Sequence, residues 1–518
     1  MLLRVVVDAS IRVGATSSRL AKRALIAEAI RSAHTPEDAE LAALYLSGTL
    51  RQRRTGIGYR SLQSLPIAAA ESTLTIAEVD HALETMSALA GPGSATRRRE
   101  HLESLFGRAT DDEQRFLRGL ITGEVRQGAL DGVLLDALAE AFDVPAARVR
   151  RAAMLGASSA AVAHALTSAG EAGLDRFSLT PGSPVRPMLA SSAVDLAAAW
   201  EGRDGPAVVD GKLDGIRIQA HLVSGDDGER RVTVYTRSLD DITARLPEVV
   251  EVVRSLPAST LILDGEALVM QDGRPVPFQD SASRTASSAD VEALRARWPL
   301  TVMFFDILHR DGEDLIDLPT ADRFAALEQV AGAYLVPRTV TDDLAEAEDF
   351  AERMLAAGHE GVVVKDLDIP YAAGRRGSGW VKVKPRHTLD LVVLAVEWGS
   401  GRRTGLLSNI HLGARDPRTG ELVMLGKTFK GMTDEMLAWQ TTRFLELERS
   451  RSRYAVHVRP EQVVEIAFDG LQRSVRYPGG VALRFARVLR YRDDKSADEA
   501  DTIDTVHELA RRMGVLEG

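Results

Sequence analysis

The hydrophobic residues change period at Pro181-Gly182-Ser183-Pro184. Before this turn cluster the chain reads as helix. Leu20, Ala24, Ile26 and Ile30 fall near helical spacing. Thr35 precedes Pro36, Glu37 and Asp38, a helix-start signature, and Ser47-Gly48 offers a stop. Thr110-Asp111-Asp112-Glu113 is a capping box, followed by the apolar stripe Phe116, Leu117, Leu120 and Ile121, which reads as core. Gly91 to Ala95 is a loop within this region. After the cluster, strands dominate. Val232 and Val234 alternate with polar residues, and Leu261-Ile262-Leu263, Leu300 to Phe305 and Val362-Val363-Val364 are short apolar runs. Helical stretches at Asp290 to Trp298 and Leu344 to Ala357 intervene, so this part reads as a mixed, largely antiparallel α+β domain. From Asp390 the chain is again strand-rich, with Leu391 to Val396, Val463 to Ala467 and one helix near Asp434 to Leu447.

A chain of 518 residues should form about three domains, because one core rarely serves more than about 250 residues. The pattern predicts an all-α domain over 1–180, an α+β domain over 184–387 and a strand-rich domain over 388–518. Hydrophobic content of 45% and charged content of 27% are those of an ordinary globular protein. No apolar run approaches the ~20 residues that cross a bilayer, and Met1 to Asp8 does not read as a secretory signal. The expectation is a cytoplasmic monomer with no membrane contact. Cysteine is absent, which excludes disulfides and thiolate zinc sites. The net charge of −10 is the wrong sign for a protein that simply coats nucleic acid, yet basic clusters exist. They are Arg51, Arg53, Arg54 and Arg60; Arg97-Arg98-Arg99; and Arg375-Arg376 with Lys382, Lys384 and Arg386.

The chemistry gathers around Lys212, in Asp210-Gly211-Lys212-Leu213-Asp214-Gly215-Ile216-Arg217. Apolar runs flank this glycine-punctuated turn and read as strands. A lysine kept neutral by burial or neighbouring cations is a nucleophile. Taken alone, Lys-Leu-Asp-Gly is more often a charged hairpin turn. Further clusters follow in order: Leu263-Asp264-Gly265-Glu266, Phe304-Phe305-Asp306, Glu360 to Lys365, Trp380 to Lys384, and Arg490 to Lys495.

This ordered set resembles the covalent nucleotidyltransferases, the superfamily of polynucleotide ligases and capping enzymes. Pro187-Met188-Leu189-Ala190 and Tyr235-Thr236-Arg237-Ser238 look like flanking signatures of ATP-dependent DNA ligases. Nearly the whole chain is similar to the actinobacterial ligase B type. Lacking cysteine, it is unlike NAD-dependent bacterial ligases, which carry a cysteine-bound zinc.

The resemblance implies a helical DNA-binding domain, an adenylation (nucleotidyltransferase) domain and a C-terminal OB-fold barrel. It implies ATP as substrate, Mg²⁺ or Mn²⁺ as cofactor and nicked double-stranded DNA as partner, the protein joining the bacterial nucleoid when on DNA. The work would be DNA repair, replication or recombination. Lys212 would carry AMP. Asp210, in a place the family usually gives to glutamate, would sit by the adenine amino group. Arg217 would hold the ribose side, Asp214 would orient local charge and Arg237 would bind phosphate.

Glu266 and Glu360 would be metal ligands, Glu266 also serving the ribose. Phe305 would stack on adenine while Phe304 packs in the core. Lys382 and Lys384, on one face of a strand beside Trp380 and Arg376, would hold the α-phosphate. Arg492 and Lys495, with Asp494, would close over ATP and orient pyrophosphate. The rival readings are an RNA ligase or capping-type enzyme, and a nucleic-acid scaffold with a decayed centre. Ile121 to Gly128, similar to the DNA-binding domain of replicative-type ligases, weighs against the first.

Overall fold

The computed structural model describes the chain except residues 53, 126–130, 226, 287–289, 374–375, 401–402 and 517–518. It divides into two compact units. The first holds Met1–Leu189 together with Arg237–Asp240 and Tyr371–Arg376. The second holds Ala190–Thr236, Asp241–Pro370 and Gly377–Gly518.

The first unit is helical. Helix Pro36–Leu46 starts where its signature places it, with Thr35 accepting from the Asp38 N–H. Helix Asp111–Thr122 has the full capping box of Thr110 and Glu113, and ends at Gly123 in the left-handed conformation. Phe116, Leu117 and Leu120 on that helix are buried in one core with Leu3, Tyr45, Leu83, Phe106 and Leu138. The stripe is therefore core, as its spacing implies. Of the Ile121 to Gly128 run, Arg126, Gln127 and Gly128 lie outside the described residues.

The second unit contains two sheets that build the cleft. In the five-stranded sheet the order is Leu189–Ala193, Arg376–Val383, Gly361–Asp366, Ala207–Lys212, Arg338–Thr341. Lys212 lies opposite Gly361, Asp210 opposite Val363, and Val363 opposite Lys382, in antiparallel register. Side chains alternate between faces. Val209, Val362, Val364 and Val381 therefore share one face, packed on Leu196 and Ala199 of helix Leu196–Trp200 and on Ala347 and Phe350 of helix Leu344–Ala356. Asp210, Lys212, Lys365, Trp380, Lys382 and Lys384 fall on the opposite face.

The six-stranded sheet runs Arg230–Thr236, Ile216–Ser224, Thr260–Gln271, Leu300–Arg310, Glu313–Asp314, with Arg274–Pro275 paired to Thr260–Gln271. Its apolar face (Ile218, Ala220, Leu263, Ala267, Val302, Phe304) packs on Val249, Val253, Leu327 and Val330 of two helices. Its other face carries Arg217, Asp264 and Glu266, whose residues pair as Arg217 with Glu266 and Gln219 with Asp264.

The rest of this unit is the OB-fold barrel. Strand His387–Trp398 is its spine, pairing in turn with Val463–Phe468, Ala455–Val458 and Leu407–Arg415. Switching partners along one long strand is how a sheet curls towards closure. Helix Asp434–Glu446, capped by Thr433, matches the expected helix. Helix Ile503–Arg512, not expected from the sequence although Ile503, Val506 and Ala510 fall at helical spacing after Thr502, packs those three residues into the barrel core.

Candidate active site

Lys212 ends its strand where three strands come close. The Glu360 N–H donates to the Lys212 carbonyl at 3.0 Å. Gly361 has φ +143, and a Cβ there would stand 2.2 Å from the Val383 carbonyl oxygen, so only glycine fits. This crowding sets Lys212, Glu360 and Lys384 side by side. Glu360 bridges the two ammonium groups, Oε2 to Lys212 and Oε1 to Lys384. From the facing sheet, Glu266 accepts the Gly215 N–H at 2.7 Å. Arg217 forks onto Asp264, Nε at 3.1 Å and NH2 at 2.7 Å.

The charges correct one expectation. Burial alone would push the Lys212 amine down, but Glu360, Glu266 and Asp214 outweigh it and hold the pKa above the ordinary lysine value. Lys212 therefore rests as an ammonium ion, not as a neutral amine. Burial also pushes Glu360 up, and Lys212 and Lys384 reverse this, so it rests ionised. Glu266 is different: burial raises it to about 7 despite Lys212 nearby. Two carboxylates of hard oxygens suit Mg²⁺ or Mn²⁺, which commonly takes one or two carboxylates and completes its shell with water and substrate phosphate.

A β-bulge sets the aromatic wall. Gly265 pairs with Phe304 and Asp264 with Asp306, so Phe305 has no opposite residue. An extra residue re-aims the side chains beside it. Phe304 is fully buried, its ring against Gly265, where a Cβ would meet Cδ1 at 2.7 Å. Phe305 turns to the cleft over Leu213, Leu268 and Val336. It meets Trp380 edge-on, centroids 5.9 Å apart, and the Arg217 guanidinium lies 5.4 Å from its centroid.

Lys365, 2 % exposed, lies beneath both rings, 4.3 Å from the Trp380 centroid and 4.8 Å from that of Phe305. It pairs with Asp210 at 2.7 Å. Arg338 takes the same carboxylate at 2.6 and 3.0 Å. Both Asp210 oxygens are thus tied beneath the ring platform. Burial opposes its charge, and Lys365 and Arg338 restore it.

Three family models match in chain order: DNA ligase N terminus at 59–139, ATP dependent DNA ligase domain at 187–384, and ATP dependent DNA ligase C terminal region at 403–495. A probable DNA ligase of Beutenbergia cavernae is 61% identical over 520 residues, covering 98% of this chain and 100% of that one. One of Mycobacterium marinum is 57% identical over 517 residues, again with 98% and 100% covered. The chain belongs to the ATP-dependent DNA ligase family. The solved structure Pmar-Lig_PreS3 has the same fold, with a TM-score of 0.62 at 18% identity over 94% of this ligase and 99% of that chain.

Not every expected residue of the ligase gathers at Lys212. Arg492 and Lys495 bond instead to Asp390 within the barrel. What the barrel turns to the cleft is the hairpin of Gly470–Arg473 and Val481–Arg484, with Arg484 reaching Asp214 at 3.0 Å and Arg473 pairing with Asp280. Lys382 lies on the cleft face by register. Arg237 is exposed just past strand Arg230–Thr236. The Arg376 side chain lies outside the described residues. Sequence reasoning missed Arg338, Lys365, Arg473 and Arg484. Only Lys365 carried a signal, standing in the quoted Glu360 to Lys365 run on the same face as Asp210.

Proposed function

We propose that this ligase seals nicks in duplex DNA with ATP, in three in-line phosphoryl displacements, the first two of them on Lys212. In the first, the Lys212 nitrogen bonds to the α-phosphorus, the bond to the bridging oxygen breaks, and pyrophosphate leaves with the electron pair. In the second, the 5′-phosphate of the nick displaces Lys212 and takes the AMP. In the third, the 3′-hydroxyl attacks that phosphate and AMP leaves.

Lys212 must lose its proton before it attacks, and Glu360, already accepting from it, is placed to receive that proton. Lys384 and Arg217 bring positive charge to the nucleotide, and Phe305 offers its ring to the base. Mg²⁺ or Mn²⁺, held by Glu266 and Glu360 with substrate phosphate, would supply further charge neutralisation. The reading puts the protein in the cytoplasm, where chromosomal DNA lies.

The observation that carries this reading is Lys212, joined to Lys384 through one carboxylate, beside an aromatic and arginine wall. With α-labelled ATP and Mg²⁺ the wild-type chain should take up label as lysyl-AMP, and Lys212→Ala should take up none. Label on the variant, mapped to another lysine, would refute the assignment.

A further inference from the structure

Two C-terminal cations end on a single carboxylate oxygen. Arg492 NH1 donates to Asp390 Oδ2 at 2.9 Å, and Lys495 Nζ donates to the same oxygen at 2.6 Å. Strands of the barrel fix the contact. Asp390 lies on His387–Trp398 opposite Glu465, and Glu465 lies opposite Arg490 on Arg487–Arg492. Asp494 holds the other side of the guanidinium, accepting from Nε at 2.8 Å and NH2 at 2.7 Å. A guanidinium has five N–H donors and an ammonium three. These bonds engage three of the first and one of the second, so each cation keeps donors for a phosphate.

Asp390 serves the fold through its backbone, not its carboxylate. Its N–H donates to Asp501 Oδ2 at 2.8 Å, and the Asp501 N–H returns to the Asp390 carbonyl at 2.8 Å. The other carboxylate oxygen, Oδ1, is buried with no hydrogen-bond partner among the described residues. Burying a carboxylate that is half satisfied is unfavourable. The side chain's polar contacts are the two cations.

We propose that Asp390 is a positioning residue for the adenylation step, holding Arg492 and Lys495 side by side as one clamp for the pyrophosphate half of ATP. Two long side chains fixed in advance lose less entropy when the phosphates arrive. Asp390 itself touches neither ATP nor Lys212. The inference rests on the reading that Arg492 and Lys495 serve ATP.

The test uses full-length Asp390→Asn, which keeps the size and one acceptor but removes the charge. Three quantities are measured: the rate of Lys212 adenylation at sub-saturating ATP, the KM for pyrophosphate in the reverse reaction of isolated adenylated enzyme, and sealing of a nick that already carries 5′-AMP. Adenylation should slow about tenfold, the scale of one lost charge-assisted contact, and the KM for pyrophosphate should rise similarly. Sealing should stay within about twofold of wild type, which also shows that the barrel is folded. Should the asparagine variant not fold, Asp390→Glu, with the charge moved by one methylene, should show a smaller loss in the same two quantities and intact sealing. Wild-type adenylation and pyrophosphate use, or an equal loss of adenylation and sealing, would overturn the proposal. Arg492→Ala separates the two readings. Unchanged adenylation in that variant would remove the role of Arg492 at ATP, whereas impaired Arg492→Ala beside intact Asp390→Asn would remove only the role of Asp390.

Discussion

Phe304 and Phe305 are neighbours on opposite faces of one strand, and substitution should separate their proposed roles. Phe304→Ala empties a fully buried site and should cost about 3–5 kcal/mol of stability, read as a lower denaturation midpoint. Phe305→Ala should leave stability nearly intact and weaken ATP binding by about 1–3 kcal/mol, the worth of one stacked base. Weakened ATP binding in Phe304→Ala with stability kept would mean the faces are exchanged. His221 gives a second test. It is fully buried, and burial, with His309 nearby, pushes it down to about 3 from an ordinary 6.5. The unfolded chain therefore binds the proton more readily, and His221 costs stability as pH falls from about 6.5 towards 3. His221→Gln should flatten the fall of the urea midpoint over that window. The split between the two phenylalanines was legible, because alternation along a strand is local. The protonation of Lys212 was not, because Glu266 and Glu360 are far from it in sequence and meet it only through sheet register.

The Gly470–Arg473 and Val481–Arg484 hairpin shows the same limit one level up. Its sequence gave no sign of its target, since Arg484 lies 270 residues from Asp214. Two ion pairs hold the hairpin to the adenylation domain, and neither is deeply buried. Arg473 is the more exposed at 49 %, so its pair with Asp280 is worth little, while Arg484 at 21 % is better sheltered. A pair of this exposure contributes roughly 0–1 kcal/mol, so the effect on sealing is bounded. Arg484→Ala should slow the sealing of a nick already carrying 5′-AMP by up to about fivefold, with Arg473→Ala closer to wild type. Adenylation of Lys212 should not fall in either variant, because Arg492 and Lys495 are untouched. A larger loss in adenylation than in sealing would mean that the hairpin supports the ATP-bound arrangement instead. Helix Ile503–Arg512 and the barrel it packs on were legible unevenly: the strands showed as the apolar runs Leu391 to Val396 and Val463 to Ala467, whereas the helix offers only three small or β-branched core residues between charged ones.

At the scale of the molecule, an acidic protein with net charge −10 must present its positive charge locally if it is to hold DNA. The helical unit spends much of its arginine internally. Arg51 pairs with Asp80 and Glu40, Arg99 with Glu103, and Arg23 with Glu140. Arg54, Arg60 and Arg97 stand exposed on its surface. The change of period at Pro181 to Pro184 was legible because a helical pattern gives way to strands there. That the first unit also takes in Arg237–Asp240 and Tyr371–Arg376 was not, since those segments come from far along the chain. The residues proposed for the first step all lie after Ala207, so a chain starting near Ser183 should still become adenylated on Lys212. It should bind a nicked duplex weakly and seal poorly. Contacts to phosphate release counterions, and each one lost lowers the slope of log affinity against log salt by about 0.9. If Arg54, Arg60 and Arg97 are the helical unit's phosphate contacts, the slope should flatten by about 2–3, measured as binding to a nicked duplex between low and moderate salt. Wild-type affinity and an unchanged slope in the shortened chain would take the helical unit off the DNA and leave it a role in stability or partner binding.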